Sequence, residues 1–197
     1  MKYILVFFLG CFVSIGIQAQ VLYSSQHSTP IGQAELNSFP IDCENDCFFT
    51  MFLDVSNLDF ESAGESGAML RVWNKDRSKY FLYGVRANKK NNEPEIVFID
   101  GSGRDNFETI QLGTSKLNIW EGFRFSWKDK VFTVDNLRNY KKDGYSKLEE
   151  SGISHEGALT FKPFSIEYLF LGVDLEFHVD IASQNINKQW SDLANGN

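Results

Sequence analysis

The sequence predicts an all-β fold, a single antiparallel β-sandwich. Three observations predict it. Apolar and polar residues alternate with period two in many short segments, β-branched and aromatic residues are concentrated in those segments, and Gly, Asn, Asp and Lys separate them. No long segment shows helical spacing. The 18 Phe residues are enough to fill a core between two sheets without many disulfides.

The first half of the chain predicts a leading strand followed by four more. Residues 21–40 are polar and Ser-rich with two prolines, and we interpret them as a strand and a loop. The next strands are expected at 48–55, 68–73, 79–85 and 95–99. In the second of these the two faces are clearly separated: one carries Ala68, Leu70 and Val72, the other Met69, Arg71 and Trp73.

The second half predicts five further strands, at 107–112, 122–127, 130–134, 165–171 and 174–182. The last has the clearest alternation, with Leu175, Phe177, Val179 and Ile181 opposite Glu176, His178 and Asp180. Lys128-Asp129 is typical of a tight hairpin turn. Residues 136–157 are interpreted as a polar loop with room for one helical turn, and 185–197 as a polar C-terminal tail.

Residues 1–19 have the layout of a secretory signal peptide. Lys2 supplies a positive charge, residues 3–17 are mostly apolar, and Ala19 offers a small residue at a cleavage position. The apolar run is shorter than the roughly 20 residues of a membrane-spanning helix. We therefore expect a secreted, extracellular product that begins near Gln20, with one domain at 20–184.

The charge of the chain excludes some partners. It carries 19 basic and 26 acidic residues, a net charge of −7. An acidic protein is repelled by phosphate backbones, so nucleic acid is not an expected partner. No apolar segment after residue 19 is long enough to span a membrane, so we expect no membrane insertion of the mature form.

Cys43 and Cys47 are the two cysteines that remain after residue 19. Along a straight strand their Cα atoms would be ~13 Å apart, too far for a disulfide, so a bond requires a turn between them. Glu44-Asn45-Asp46 supplies turn-forming residues. We predict a local structural disulfide; a metal pair and a redox pair are the alternatives, and neither has the expected spacing.

Two stretches carry a resemblance to a known family. One is Tyr80-Phe81-Leu82-Tyr83-Gly84-Val85 with Asn88, Ile96 and Phe98 after it; the other is the aromatic strand and hairpin at 122–134. Together they resemble the farnesoic acid O-methyltransferase-like (FAMeT) domain. Val85 stands where that domain usually has a second Gly. The later strands, at 164–181, resemble those of concanavalin-like (jelly-roll) sandwiches.

The resemblance implies an extracellular binding module of β-sandwich type. It does not imply a methyltransferase, because the chain has no strand, Gly-rich turn and helix that could hold S-adenosylmethionine. We expect no cofactor and no metal, and a carbohydrate or an extracellular protein as the partner.

The predicted binding residues are Arg71, Trp73 and Trp120. Trp73 is out of phase with the apolar residues of its strand and stands beside Arg71, and Trp120 opens a turn. Aromatic and charged residues supply much of the binding energy at protein surfaces. The hypothesis is a non-enzymatic, lectin-like module that recognises its partner through a polar strand face.

The alternative is a secreted glycoside hydrolase. Asp174, Glu176, His178 and Asp180 alternate along one strand, and a hydrolase would use Glu176 and Asp180. Glu176, His178 and Asp180 also have metal-ligand chemistry but need a fourth group. Residues 100–106 have oxygen-bearing side chains at alternating positions, as calcium-binding loops do, but they lack the full EF-hand pattern. Each feature is also what a solvated strand face or an ordinary turn contains.

Overall fold

The computed structural model describes residues 21–40, 47–61, 65–103, 106–139 and 149–181. The regular elements of these residues are twelve β-strands. In chain order they are β1 Val21–Ser28, β2 Ala34–Pro40, β3 Cys47–Leu58, β4 Gly67–Trp73, β5 Lys79–Asn88, β6 Glu93–Ser102, β7 Asn106–Thr114, β8 Trp120–Lys128, β9 Val131–Asn139, β10 Glu149–Ala158, β11 Ser165–Leu171 and β12 Val173–Ile181. In the part of the chain that the structure describes, no helix is long and apolar enough to cross a membrane.

The strands form two six-stranded antiparallel sheets. Sheet A has the order β1-β12-β3-β8-β9-β10, and sheet B has the order β2-β11-β4-β5-β6-β7. Successive residues of a strand point to opposite faces, so each sheet has an inner face and an outer face. The all-β antiparallel sandwich is confirmed.

The inner faces bury one apolar core that contains residues of both sheets. Phe81 of β5 is central to it. The centroid of its ring lies 4.5 Å from that of Phe132, 4.7 Å from Phe161, 5.5 Å from Phe98 and 6.4 Å from Phe125. Since Phe125 and Phe132 belong to sheet A, these rings join the two sheets.

Each of the nine strands predicted from residue 48 onward corresponds to an observed strand, with small shifts at the ends. The hairpin is also present, but its turn consists of Asp129 and Lys130, one residue later than predicted. Both residues have positive φ angles, 49° and 66°. Two such residues form a type I′ turn, whose twist matches that of the flanking strands.

The prediction of a loop at 136–157 is wrong at both ends. Strand β9 continues to Asn139, and β10 begins at Glu149. Among the described strands, β10 is at the edge of sheet A and pairs on one side, with β9. Apolar residues are few in such an edge strand. Ile153 is the apolar side chain that β10 contributes to the core. The strand therefore lacks the alternation on which the prediction depended.

The leading segment also differs from the prediction, because 21–40 holds two strands, one in each sheet. The predicted signal peptide, Cys43 and the tail at 185–197 lie outside the described residues, so cleavage, the disulfide and the tail stay predictions.

We expect Phe81→Ala to lower the free energy of unfolding by about 3–5 kcal/mol, because it opens a cavity among four aromatic rings. Phe107→Ala is the matched control: Phe107 is 55% exposed, and its loss should change stability by less than about 0.5 kcal/mol. Urea denaturation of both variants measures the difference. Equal losses of stability would contradict the central role of Phe81.

Candidate functional site

The outer face of sheet B carries its own apolar cluster. Its five buried members are Met69, Leu82, Val97, Ile99 and Leu169. They occupy the strand positions between the residues that point into the core. At one end of this face the side chains become aromatic and charged, and two of the three predicted binding residues lie there.

Arg71 and Trp73 converge on a buried carboxylate from the neighbouring strand. Arg71 Nη1 lies 3.1 Å from Glu167 Oε1, and the Trp73 indole N–H donates to the same oxygen at 3.3 Å. The Glu167 side chain is only 7% exposed. The guanidinium carbon of Arg71 also lies 5.0 Å from the centroid of the Trp73 ring and 5.3 Å from that of Tyr80. The stacking and the ion pair together fix the orientation of the Arg71 guanidinium.

Arg77 extends this cluster from the turn between β4 and β5. Its Nη1 lies 3.7 Å from Glu167 Oε2, and its Nη2 donates to Ser38 Oγ of β2 at 2.9 Å. Its guanidinium carbon is 5.8 Å from the Trp73 ring centroid. Arg71, Arg77 and Glu167 form what we call the arginine cluster. It has two positive charges and one negative charge in a chain of net charge −7.

A row of aromatic residues crosses the same end of the sheet. Trp73 of β4 is in register with Tyr80 of β5, Tyr80 with Gly101 of β6, and Gly101 with Phe107 of β7. The Trp73 and Tyr80 ring centroids are 4.9 Å apart. We call Trp73, Tyr80 and Phe107 the aromatic row. Residues in register on adjacent strands share a face, so all three side chains belong to the outer face.

Gly101 is what makes room for the Tyr80 ring. A Cβ atom at residue 101 would lie 2.2 Å from Tyr80 Cζ, so the ring lies directly on the Gly101 backbone. It therefore extends across β6 toward Phe107. Burial raises the pKa of the Tyr80 hydroxyl. The hydroxyl is thus protonated at neutral pH and can donate a hydrogen bond.

Trp120, the third predicted binding residue, is not part of this site. It begins β8 in sheet A and is in register with Asp54 of β3. It is 8% exposed, which leaves little of the ring for a ligand. Trp120 was expected to open a turn, but it is the first residue of strand β8 and its side chain is buried. The structure brings Arg71 and Trp73 together and leaves Trp120 apart.

Two acidic residues of the alternative hypothesis, Asp174 and Glu176, line a groove on sheet A. The groove has a volume of about 460 Å³ and is bordered by residues that include Gln26, Asp54, Asp174 and Glu176. Glu176 of β12 is in register with Asp54 of β3. Asp174 accepts hydrogen bonds from Ser28 Oγ at 2.6 Å and Asn57 Nδ2 at 3.3 Å.

His178 and Asp180 are the other residues of that hypothesis. Their side chains lie outside the described part of the structure. Among the described side chains, no group of three or more His, Cys, Asp and Glu could hold a metal. Of the segment 100–106, residues 100–102 end β6 and Asn106 begins β7, and Asn106 Nδ2 donates to Ser102 Oγ at 3.0 Å.

The chain matches no family model, and no curated protein is similar to it in sequence. Solved structures are similar in fold. A legume lectin-like domain from Entamoeba histolytica is 10% identical, with 85% of this chain and 84% of that chain covered and a TM-score of 0.52. Peanut lectin is 8% identical, with 88% and 95% covered and a TM-score of 0.50.

A xylan β-1,4-xylosidase from Bacillus halodurans is also similar, at 9% identity and a TM-score of 0.50. The match covers 71% of this chain but only 28% of the xylosidase, so this chain corresponds to a small part of that enzyme. At these identities the likeness concerns the fold alone. It shows that the fold is a sandwich of the concanavalin-like type.

Sequence reasoning missed Tyr80, Arg77, Phe107 and Glu167. Tyr80 and Glu167 did give a signal, because each is out of phase with the core residues of its strand, as Trp73 is. The convergence of these residues could not be predicted, because the sequence does not show that β11 lies beside β4. Arg71 and Glu167 are 96 residues apart along the chain.

Glu121 is a second buried carboxylate, on the inner face of β8. It is 2% exposed and accepts a hydrogen bond from Arg138 Nε at 2.8 Å. Burial raises its pKa to about 7, although Arg138 acts in the opposite direction. The pair belongs to the core and not to the surface site.

This shift predicts a pH dependence of stability. Between pH 4.5, the ordinary pKa of Glu121, and about 7, the folded chain holds this proton more tightly than the unfolded chain does. The free energy of unfolding should therefore fall as pH rises through this window, by up to about 3 kcal/mol from this group. Glu121→Gln, which cannot ionise, should remove that part of the slope. Urea denaturation at several pH values measures this dependence. If the free energy of unfolding changes with pH equally in the wild type and in Glu121→Gln, the raised pKa of Glu121 is contradicted.

Proposed function

We propose that the protein is a secreted, non-enzymatic binding module that recognises a carbohydrate through the outer face of sheet B. The observation that carries this proposal is the aromatic row beside the arginine cluster. Aromatic rings stack on the apolar faces of sugar rings, while arginine and carboxylate groups exchange hydrogen bonds with sugar hydroxyls.

The described part of the core holds a much smaller space. The cavity between the sheets that is lined by Leu70, Phe81, Tyr83 and Phe125 measures about 10 Å³, roughly the space of one water molecule. Sandwich cores are filled by their own alternating side chains. A ligand of this fold therefore binds at the surface, and Phe107 is one of the large apolar side chains exposed there.

Two further features are consistent with the proposal. Two of the similar folds are described as a lectin and a lectin-like domain. The resemblance to the FAMeT domain implies an extracellular binding module, and the predicted signal peptide at residues 1–19 would place the product outside the cell. An extracellular protein is the other class of partner that such a surface could take.

The test is a glycan array with the protein collected from the medium of an expressing cell. Intact mass of the same material checks loss of residues 1–19 and pairing of Cys43 with Cys47. We expect Trp73→Ala to weaken glycan binding at least about tenfold, because Arg71 loses its stacking partner and Glu167 loses a donor. Trp73→Phe keeps a ring and should bind more tightly than Trp73→Ala.

Val131→Ala is the matched control. Val131 is 41% exposed on β9 of sheet A, so its loss removes apolar surface away from the site and should leave binding unchanged. Glycan binding that is equal in wild type and Trp73→Ala would contradict the proposal. So would a pull-down from extracellular fluid that captures a protein through Trp73 while no glycan binds.

A glycoside hydrolase remains the second candidate function, favoured by the groove in which Asp54 is opposite Glu176. A panel of β-glucan substrates distinguishes the two functions. We expect no turnover. Turnover that disappears in Glu176→Gln but persists in Trp73→Ala would establish the enzyme and contradict the binding module.

A further inference from the structure

The shape of the site indicates what kind of glycan it takes. Adjacent strands are ~4.8 Å apart, so the Cα atoms of Tyr80 and Phe107, two strands apart in register, are separated by ~9.6 Å. That span corresponds to about two sugar residues. The Tyr80 ring lies over the intervening Gly101, so it covers the backbone of β6 between the two positions. A row of this length fits an extended chain and exceeds what a single sugar needs.

The charge at one end of the row indicates an anionic ligand. Among the described residues, Arg71 and Arg77 share the single carboxylate of Glu167, which leaves one positive charge over. A guanidinium has five N–H donors, and the described contacts with Glu167 and Ser38 use one or two on each arginine. The Nε of Arg71 is buried, so its other nitrogens are the ones that can face a ligand. Arg77 is accessible, with 54% of its side chain exposed. A guanidinium held in place by an aromatic ring is well suited to a carboxylate, which it binds through two parallel hydrogen bonds.

We propose that the outer face of sheet B binds a linear acidic polysaccharide, with consecutive sugar rings along Tyr80 and Phe107 and a uronate carboxylate at Arg71 and Arg77. This inference rests on the proposed function and adds the ligand class. Trp73 acts as the support that holds both arginines at the end of the row.

The experiment is titration calorimetry with oligogalacturonates of increasing length and with neutral cello-oligosaccharides of the same lengths. We expect affinity for the acidic series to rise until the chain spans the row, and to exceed that for the neutral series at least about tenfold. Raised salt should weaken the acidic series and leave the neutral series unchanged. Arg77→Gln should remove most of the preference for the acidic series.

Two variants test the row itself. Phe107→Ala should weaken binding of the longer oligogalacturonates about tenfold and leave the shortest unaffected. Gly101→Ala should do the same, because the new Cβ displaces the Tyr80 ring from the sheet. Phe164→Ala is the matched control, since Phe164 is 43% exposed but lies outside the row. Urea denaturation confirms that each variant is folded.

The inference is overturned if neutral and acidic chains bind equally, if affinity does not depend on length, or if Phe107→Ala and Gly101→Ala bind like Phe164→Ala. Such a result, together with glycan binding that Trp73→Ala abolishes, would leave the proposed function intact. If no saccharide of either series and no glycan of the array binds, both proposals are wrong.

Discussion

The packing of Phe81 against aromatic rings from both sheets is the interaction on which the rest of the molecule depends. Its ring contacts Phe98 within sheet B and Phe125 and Phe132 in sheet A, so one side chain couples the two layers. An aromatic interior of this kind is closely packed and leaves a cavity of only about 10 Å³ beside Phe81. Among the described residues, the space beside Phe81 is therefore too small for a ligand.

The outer face of sheet B differs from a simple solvated face. Its centre is apolar and buried, and its end holds a carboxylate, Glu167, that is shared by Arg71, Arg77 and the indole of Trp73. A buried carboxylate is costly unless it is paired, so the arginines are held close to it by electrostatics as well as by stacking. The same contacts that stabilise Glu167 therefore fix the positions of the groups that would meet a ligand. The groove on sheet A is also polar. There the carboxylate of Asp174 accepts hydrogen bonds from two neutral groups, the Ser28 hydroxyl and the Asn57 amide, whereas Glu167 is paired with arginines.

Local alternation was sufficient to predict the fold class and the strands whose sequences alternate clearly, such as β12. It failed at β10, an edge strand whose polar sequence carries little alternation, and it divided 21–40 incorrectly because those two strands are polar too. For the site, the phase of Trp73 in its strand correctly placed it with Arg71 on the outer face. The burial of Trp120 was not foreseen, because a position near a turn does not determine burial. Glu167, Arg77 and Phe107 depend on which strands become neighbours, and that order is set by packing of the whole chain.

The most direct test of the account is to map where a ligand contacts the protein. Titration of isotope-labelled protein with an oligogalacturonate, followed by amide and indole NMR signals, locates the site without any substitution. We expect the largest shifts at the Trp73 indole N–H and at the backbone amides of Arg71, Tyr80 and Phe107. Largest shifts at Asp54 and Glu176 on sheet A would contradict it and would move the functional site to the opposite sheet.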